Sequence, residues 1–205
     1  MHLQNIREKL ETGEALTIVA LGDSLTQGWM ARKGYLDFLQ EMLKVKYPGN
    51  KARFVNKGIP GDTAEGGYYR LMDDVISYKP DCVFIQFALN DAFSGYPVER
   101  FKNNIQLIVN RIEAETNAEM LLVTSVALSR KDENDLAQRF YAALEEIARE
   151  NDLSIARVHE HWIHRIAEGL EFRKLVQSDL VHPTVDGYRV MAEAIMKVFE
   201  QENPL

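Results

Sequence analysis

The sequence predicts an α/β protein built on a doubly wound parallel sheet, because strand-type and helix-type segments alternate along almost all of its 205 residues. Five short, nearly continuous apolar runs are typical of strands buried on both faces: residues 16–21, 52–55, 82–88, 120–125 and 153–158. Parallel strands need right-handed crossover connections, so helices should cover both faces of the sheet. No linker or internal repeat interrupts the pattern, and we expect one domain over residues 1–205.

The individual elements follow from local periodicity. The first strand, Leu16-Thr17-Ile18-Val19-Ala20-Leu21, is preceded by a short helical stripe of Leu3, Ile6 and Leu10. Two longer apolar stripes with helical spacing indicate amphipathic helices between the later strands. Their members are Phe101, Ile105, Ile108 and Ile112 in one, and Leu136, Phe140, Ala143, Leu144 and Ile147 in the other.

Composition and charge disfavour several classes of function. Hydrophobic residues make up 46% of the chain and charged residues 27%, as in ordinary soluble proteins. A formal net charge of −7 repels phosphate backbones and anionic lipid head groups, so we expect no nucleic-acid partner and no binding to a membrane surface. The apolar runs are far shorter than the roughly 18 residues of a membrane helix, so we expect no membrane insertion. The single cysteine excludes an internal disulfide, and the first residues lack the apolar stretch of a secretory signal. We therefore expect a cytoplasmic protein.

Polar residues that directly follow strands are the candidate functional residues, because ligands of doubly wound sheets bind outside the carboxyl ends of the strands. Four segments qualify. They are Gly22-Asp23-Ser24-Leu25 after the first strand, residues 56–62 after the second, Ala88-Leu89-Asn90-Asp91 after the third, and Asp179-Leu180-Val181-His182-Pro183, which follows the fifth strand and one more helix.

Three of these residues have the chemistry of a catalytic triad. Ser24 lies on a strand-to-helix turn, which lifts its hydroxyl clear of the sheet. Asp179 precedes His182 by three residues, close enough for the carboxylate to reach the imidazole Nδ1–H. A serine nucleophile needs a neutral histidine to accept its proton and a carboxylate to fix the histidine tautomer. Pro183 biases His182 towards an extended conformation and suits the first position of the last helix.

An oxyanion formed at Ser24 also needs hydrogen-bond donors. We expect these to be the amides of Ser24 and Gly58 and the side chain of Asn90, all near the same sheet edge. Gly58 suits this role because it has no side chain to block the approach.

The Gly-Asp-Ser-Leu segment, a glycine block, an asparagine block and a terminal Asp-x-x-His-Pro occur here in the order that resembles the GDSL or SGNH hydrolases. The resemblance extends from about residue 16 to the end of the chain. It implies a flavodoxin-like three-layer sandwich with strand order 2-1-3-4-5. It also implies Ser24 as nucleophile and oxyanion donor, Gly58 and Asn90 as further donors, His182 as base and Asp179 as its partner. A small-molecule ester is then the substrate, and no metal or organic cofactor is required.

One position departs from the family pattern. The third block usually carries glycine where this chain has Ala88. Alanine suits the position if its backbone stays at negative φ, and we then expect Asn90 to keep its role.

Several residues have alternative interpretations. Ser24 and Asp23 suit a helix cap or turn, Asp91 a structural loop, and Cys82 a buried, inert thiol. Residues 159–164 carry three histidines and a glutamate, but the histidines do not share one helix face, so we expect no metal there. Four residues beyond the nucleophile and asparagine blocks either line an acyl or sugar pocket or pack as ordinary loop residues. These are Trp29, Met30, Phe93 and Tyr96.

The sequence therefore predicts a serine hydrolase that cleaves carboxylic esters through an acyl-enzyme. A chain of 205 residues leaves little room for a lid or a long acyl tunnel, which favours short acyl groups such as acetyl. A lysophospholipase or thioesterase of the same family and a catalytically inactive carbohydrate-binding module remain alternatives. A metal-dependent phosphoesterase using Asp23, Asp91 and the histidines is a further one.

Overall fold

The computed structural model describes residues 3–200 and contains a five-stranded parallel sheet. The strands are β1 (Ala15–Gly22), β2 (Lys51–Gly58), β3 (Cys82–Gln86), β4 (Glu119–Val123) and β5 (Ser154–Ala156). Their order across the sheet is β2-β1-β3-β4-β5, and every neighbouring pair is parallel. The predicted fold class, the five strands and the strand order are confirmed.

Helices cover both faces of the sheet, as the crossover rule requires. They are α1 (Gln4–Thr12), α2 (Ser24–Gln27), α3 (Tyr35–Lys46), α4 (Ala64–Tyr69), α5 (Leu71–Asp74), α6 (Leu89–Phe93), α7 (Val98–Glu115), α8 (Lys131–Glu150), α9 (Val158–Ala167), α10 (Phe172–Leu175) and α11 (Val185–Glu200), with a 3-10 turn at Ile76–Tyr78. Helix α11 packs against α3 and α9 in one layer, and α7 packs against α4 and α8 in the other. No helix within residues 3–200 is long and apolar enough to cross a bilayer.

The predicted apolar stripes face the core. All four stripe residues of α7 are fully buried, as are Ile6 and Leu10 of α1. Four of the five in α8 are buried, whereas Leu136 is only partly so. Leu3 is buried but precedes α1 as its N-cap residue. The Cys82 thiol is buried in β3, and burial raises its pKa well above the ordinary value, which disfavours the reactive thiolate.

Strands β1, β2 and β3 end at the same level of the sheet. Gly22 at the end of β1 is paired with Gly58 at the end of β2 and with Gln86 at the end of β3. The loops that follow these strands therefore start side by side, which positions three of the four predicted functional segments next to one another.

Candidate active site

The structure brings the three predicted triad residues into one hydrogen-bonded chain. Ser24 Oγ lies 2.9 Å from His182 Nε2, and His182 Nδ1 lies 2.7 Å from Asp179 Oδ2. An ionised carboxylate can only accept a hydrogen bond, so the Nδ1 that faces it carries a proton and is the donor. In the tautomer with its proton on Nδ1, Nε2 has a free lone pair and can accept the serine hydroxyl proton. These are the contacts that a general-base-activated serine needs.

Ser24 is placed by the junction between β1 and α2. The strand ends at Gly22 and the helix begins at Ser24, whose side chain is 5% exposed. Asp23 between them is the N-cap residue, and its Oδ1 accepts the Leu25 amide at 2.8 Å. Ser24 is the first helical residue, so its own amide has no partner within the helix.

His182 is placed by the loop between α10 and α11. Asp179 Oδ1 accepts the amides of Val181 at 3.0 Å and His182 at 2.9 Å, while its Oδ2 accepts the imidazole proton. The same carboxylate thus fixes both the backbone and the ring of His182. Partial burial alone would raise the pKa of Asp179, but these three hydrogen bonds outweigh it and lower the pKa below its ordinary value of 3.8.

Pro183 does not open the last helix, contrary to the sequence-based expectation. Helix α11 begins at Val185, and the Thr184 hydroxyl accepts the Gly187 amide at 3.2 Å in the manner of a helix cap. Pro183 instead forms an isolated antiparallel bridge with Val176. This bridge joins the two ends of the loop between α10 and α11 that carries His182.

The structure counts against the oxyanion role predicted for Gly58. The Gly58 amide already donates to Asn56 Oδ1 at 2.9 Å. A Cβ at this position would lie 2.2 Å from the Gln27 nitrogen and 2.7 Å from the Asp23 carbonyl oxygen. The close packing of β2 and α2, backbone against backbone, is by itself enough to require glycine here.

Gly61 is a further candidate site residue, one that the sequence does not predict individually. Its φ is +78°, it is exposed, and its amide makes no hydrogen bond to any residue of the described range 3–200. The carbonyl oxygen of the next residue, Asp62, accepts a hydrogen bond from Asn90 Nδ2 at 2.8 Å. The turn that carries Gly61 is therefore held to Asn90, and the Pro60-Gly61 pair is the turn signal that could have revealed it.

Ala88 does not have the expected negative φ. Its φ is +146° and its ψ −45°, a conformation that glycine adopts easily and alanine does not. The chain turns sharply between β3 and α6 at this residue, which is the N-cap of the helix that carries Asn90. Strain of this kind costs on the order of 1–3 kcal/mol, and the surrounding packing maintains it.

Two buried carboxyl groups, those of Asp23 and Asp91, are the sequence neighbours of the predicted site residues Ser24 and Asn90. Asp23 is 1% exposed, and burial raises its pKa to about 7 despite the hydrogen bonds from Leu25 and Gln86. Asp91 is fully buried, and burial likewise raises its pKa to about 6 although it accepts the Ala64 amide. Both groups are engaged with backbone amides, as helix-cap and loop residues are.

The three histidines of α9 make separate contacts. His159 Nε2 meets Asn134 Oδ1 at 3.1 Å, His164 pairs with Glu168, and His161 lies between Glu193 Oε2 at 3.2 Å and Lys197 Nζ at 3.0 Å. Over residues 3–200, no group of three or more histidine, cysteine, aspartate or glutamate side chains is arranged to hold a metal ion.

Exposed apolar side chains follow the nucleophile and asparagine segments. Trp29, Met30 and Phe93 are 37%, 81% and 46% exposed. Tyr96 packs under the Arg100 guanidinium at 4.0 Å, as an ordinary loop residue does. Trp29 is the one that borders the site, with its ring centroid 6.1 Å from that of His182.

The chain is similar to known esterases in both sequence and structure. The family model for the GDSL-like lipase/acylhydrolase family matches residues 20–190. The chain is 27% identical to an acetylxylan esterase from Geobacillus stearothermophilus, over 92% of this chain and 95% of that protein. It is 25% identical to the thioesterase 1/protease 1/lysophospholipase L1 of Escherichia coli K12, over 88% and 82%. The crystal structure of the Geobacillus acetylxylan esterase superposes with a TM-score of 0.82 at 23% identity, over 94% of this chain and 97% of that one.

A parallel sheet of this order, with a serine on the turn after its first strand, and these relatives together define the protein as a carboxylic ester hydrolase. Within that class, the chain belongs to the GDSL-like lipase/acylhydrolase family. The resemblance seen in the four sequence blocks is confirmed.

Proposed function

We propose that this enzyme removes short acyl groups, acetyl among them, from small-molecule esters through a Ser24–His182–Asp179 triad and an acyl-enzyme. The observation that carries the proposal is the unbroken chain of contacts from Ser24 Oγ to His182 Nε2 at 2.9 Å and from His182 Nδ1 to Asp179 Oδ2 at 2.7 Å. Ser24 is 158 residues from His182 in the sequence, yet its hydroxyl lies within hydrogen-bond distance of the imidazole, as proton transfer requires.

In the first step, Ser24 Oγ attacks the ester carbonyl carbon while His182 Nε2 takes the hydroxyl proton. The tetrahedral intermediate collapses, His182 gives the proton to the leaving alkoxide oxygen, and the acyl group stays on Ser24. His182 then takes a proton from a water molecule, whose oxygen attacks the acyl carbonyl carbon. The second tetrahedral intermediate collapses, the bond to Ser24 Oγ breaks, His182 returns the proton to Oγ, and the carboxylic acid leaves. Asp179 stays ionised throughout, as its lowered pKa favours, and stabilises the imidazolium.

Three donors are proposed for the oxyanion. The Ser24 amide is unpaired within its helix, and Asn90 Nδ2 has a second hydrogen beyond the one given to Asp62. The third donor is the Gly61 amide, which has no partner among residues 3–200, rather than the Gly58 amide predicted from the sequence, which already donates to Asn56. Loss of one such donor costs about 10²–10³ in rate.

The preference for short acyl groups is supported by one relative in particular. The acetylxylan esterase of Geobacillus stearothermophilus matches this chain over almost its full length. The thioesterase 1/protease 1/lysophospholipase L1 of E. coli matches this chain over a similar share of its length. Its match supports the second candidate function, a thioesterase or lysophospholipase that acts on longer acyl groups. A panel of acyl esters from acetyl to palmitoyl, with one common alcohol, separates them: a maximum of kcat/KM at acetyl supports the proposal, and a maximum at long chains refutes the short-acyl assignment.

The mechanism is tested by the variant Ser24→Ala. We expect kcat to fall by about 10⁴ or more, as for other triads. Ser77→Ala is the matched control and should keep the wild-type rate, because among the described residues the Ser77 hydroxyl donates a hydrogen bond to the Asp73 carbonyl oxygen alone. Wild-type activity in Ser24→Ala would exclude the serine mechanism, and loss of wild-type activity on adding a chelator would favour the metal-dependent phosphoesterase.

A further inference from the structure

Trp29 borders the catalytic histidine and keeps part of its surface free. The centroids of its indole ring and the His182 imidazole are 6.1 Å apart, and the ring planes meet at 40°. The side chain is 37% exposed. The backbone of Trp29 is tied to the nucleophile segment, because its amide donates to the Ser24 carbonyl oxygen at 3.1 Å.

Gln177 links the segment that carries Trp29 to the loop that carries His182. Its Nε2 donates to the Trp29 carbonyl oxygen at 2.9 Å and to the Pro183 carbonyl oxygen at 2.9 Å. The backbone amide of Gln177 donates to the His182 carbonyl oxygen at 2.7 Å. One side chain thus fixes the distance between two segments that are 148 residues apart in the sequence.

The reaction places the alcohol of the ester on the His182 side of the site. His182 has to deliver its proton to the leaving oxygen, so that oxygen comes within hydrogen-bond distance of Nε2, about 3 Å. The carbon substituent of the alcohol continues outwards from there. An indole ring centred 6.1 Å from the imidazole is close enough to contact that substituent. The acyl carbonyl oxygen points to the oxyanion donors, two of which, Gly61 and Asn90, come from other segments of the chain.

We propose that Trp29 is the wall of the subsite for the alcohol portion of the ester, and that Gln177 is the positioning residue that holds this wall against His182. The subsite rests on the proposed acyl transfer at Ser24. Its ligand is an alcohol with a flat or cyclic apolar surface, such as an aryl-alkyl group or the apolar face of a sugar ring, which packs on the exposed part of Trp29.

Steady-state kinetics with three esters tests the subsite. Ethyl acetate and 2-phenylethyl acetate share an acyl group and have alcohols of similar acidity, whereas ethyl butyrate varies the acyl group alone. In Trp29→Ala, the ratio of kcat/KM for 2-phenylethyl acetate over ethyl acetate should fall on the order of tenfold. Trp29→Phe keeps an aromatic face and should retain most of that ratio. The ratio of ethyl butyrate over ethyl acetate should change by less than about twofold in both variants, because the acyl side lies elsewhere.

The controls separate this proposal from the proposed function. Ile163→Ala removes an apolar side chain that is 44% exposed on α9, and it should leave both ratios at the wild-type values. A wild-type enzyme that hydrolyses none of the three esters would refute the proposed hydrolysis of short-acyl esters and the subsite with it. A wild-type enzyme that hydrolyses them, with the alcohol ratio unchanged in Trp29→Ala, would refute the subsite alone.

A binding measurement gives a second readout that does not depend on activity. The chain has two tryptophans, and Trp162 is fully buried. In ¹⁵N-labelled Ser24→Ala, titration with 2-phenylethanol should move the indole N–H signal of Trp29 and leave that of Trp162 in place. The Trp29→Phe variant assigns the two signals. Equal movement of both, or movement of neither at concentrations that inhibit the wild-type enzyme, would overturn the proposal.

Discussion

Replacement of Asp23 by asparagine should make the stability of the protein less dependent on pH. The Asp23 carboxyl is 1% exposed, accepts the Leu25 amide at 2.8 Å and lies 3.4 Å from Gln86 Nε2. Burial raises its pKa from the ordinary 3.8 to about 7. Asparagine keeps an acceptor for the Leu25 amide but has no charge at any pH in this range.

The size of the effect follows from linkage between protonation and folding. Because the pKa of Asp23 is raised in the folded state, its stabilising contribution is complete below pH 3.8 and is lost as the pH rises through about 7. Each unit of pKa difference corresponds to about 1.36 kcal/mol. Between pH 5 and pH 8, the wild type should lose about 2.5 kcal/mol of unfolding free energy through Asp23 alone. Asp91, whose pKa is about 6, contributes to the pH dependence of both proteins.

The assay is denaturant unfolding of wild type and Asp23→Asn at pH 5 and pH 8, at one ionic strength. Relative to the wild type, the variant should gain about 2.5 kcal/mol between the two pH values. Ser125→Ala is the matched control, because it removes the hydroxyl that accepts Gln86 Nε2 at 2.9 Å without changing a charge. Its difference from the wild type should be the same at both pH values. If the Asp23→Asn difference also stays constant, burial does not hold the Asp23 proton and the reasoning is refuted.

Three further substitutions test the structure around the site. Ala88→Gly should cost at least about 1 kcal/mol less than the control Ala143→Gly within α8, because it relieves the strain at φ +146°; thermal unfolding compares them, and equal costs would contradict the strain. Gly58→Ala should destabilise the protein by about 3 kcal/mol in denaturant unfolding, because its Cβ would lie 2.2 Å from a backbone nitrogen of α2; a near-neutral effect would argue against this close packing. Gln177→Glu replaces an amide donor by an oxygen that faces two carbonyl groups. It should lower kcat about 10- to 100-fold through displacement of His182, whereas an unchanged kcat would show that the link is dispensable.

The architecture could be predicted because it depends on local patterns and a few chirality rules. Each of the five buried strands is a short apolar run, and α7 shows its buried face in the spacing of Phe101, Ile105, Ile108 and Ile112. The rule that ligands bind at the carboxyl ends of parallel strands then selected the segments that contain Ser24 and His182. In the structure, Ser24 Oγ and His182 Nε2 lie 2.9 Å apart, as expected for segments at the same edge of the sheet.

Non-local features of the site could not be predicted. Nothing in the residues near Gly58 shows that α2 packs against it, and so the local sequence predicts an oxyanion donor where the structure shows close backbone packing. The positive φ of Ala88 is imposed by the turn out of a buried strand, against the local preference of alanine. Gln177 carries no sequence signal at all, because its partners lie 6 and 148 residues away and are backbone carbonyl groups.

Intact-protein mass spectrometry after treatment with a fluorophosphonate tests the nucleophile most directly. We expect a single covalent adduct, mapped to Ser24 by peptide analysis, absent in Ser24→Ala and formed far more slowly in His182→Ala. An adduct on another residue, or undiminished labelling of Ser24→Ala, would show that the acyl group is carried elsewhere and would contradict the mechanism.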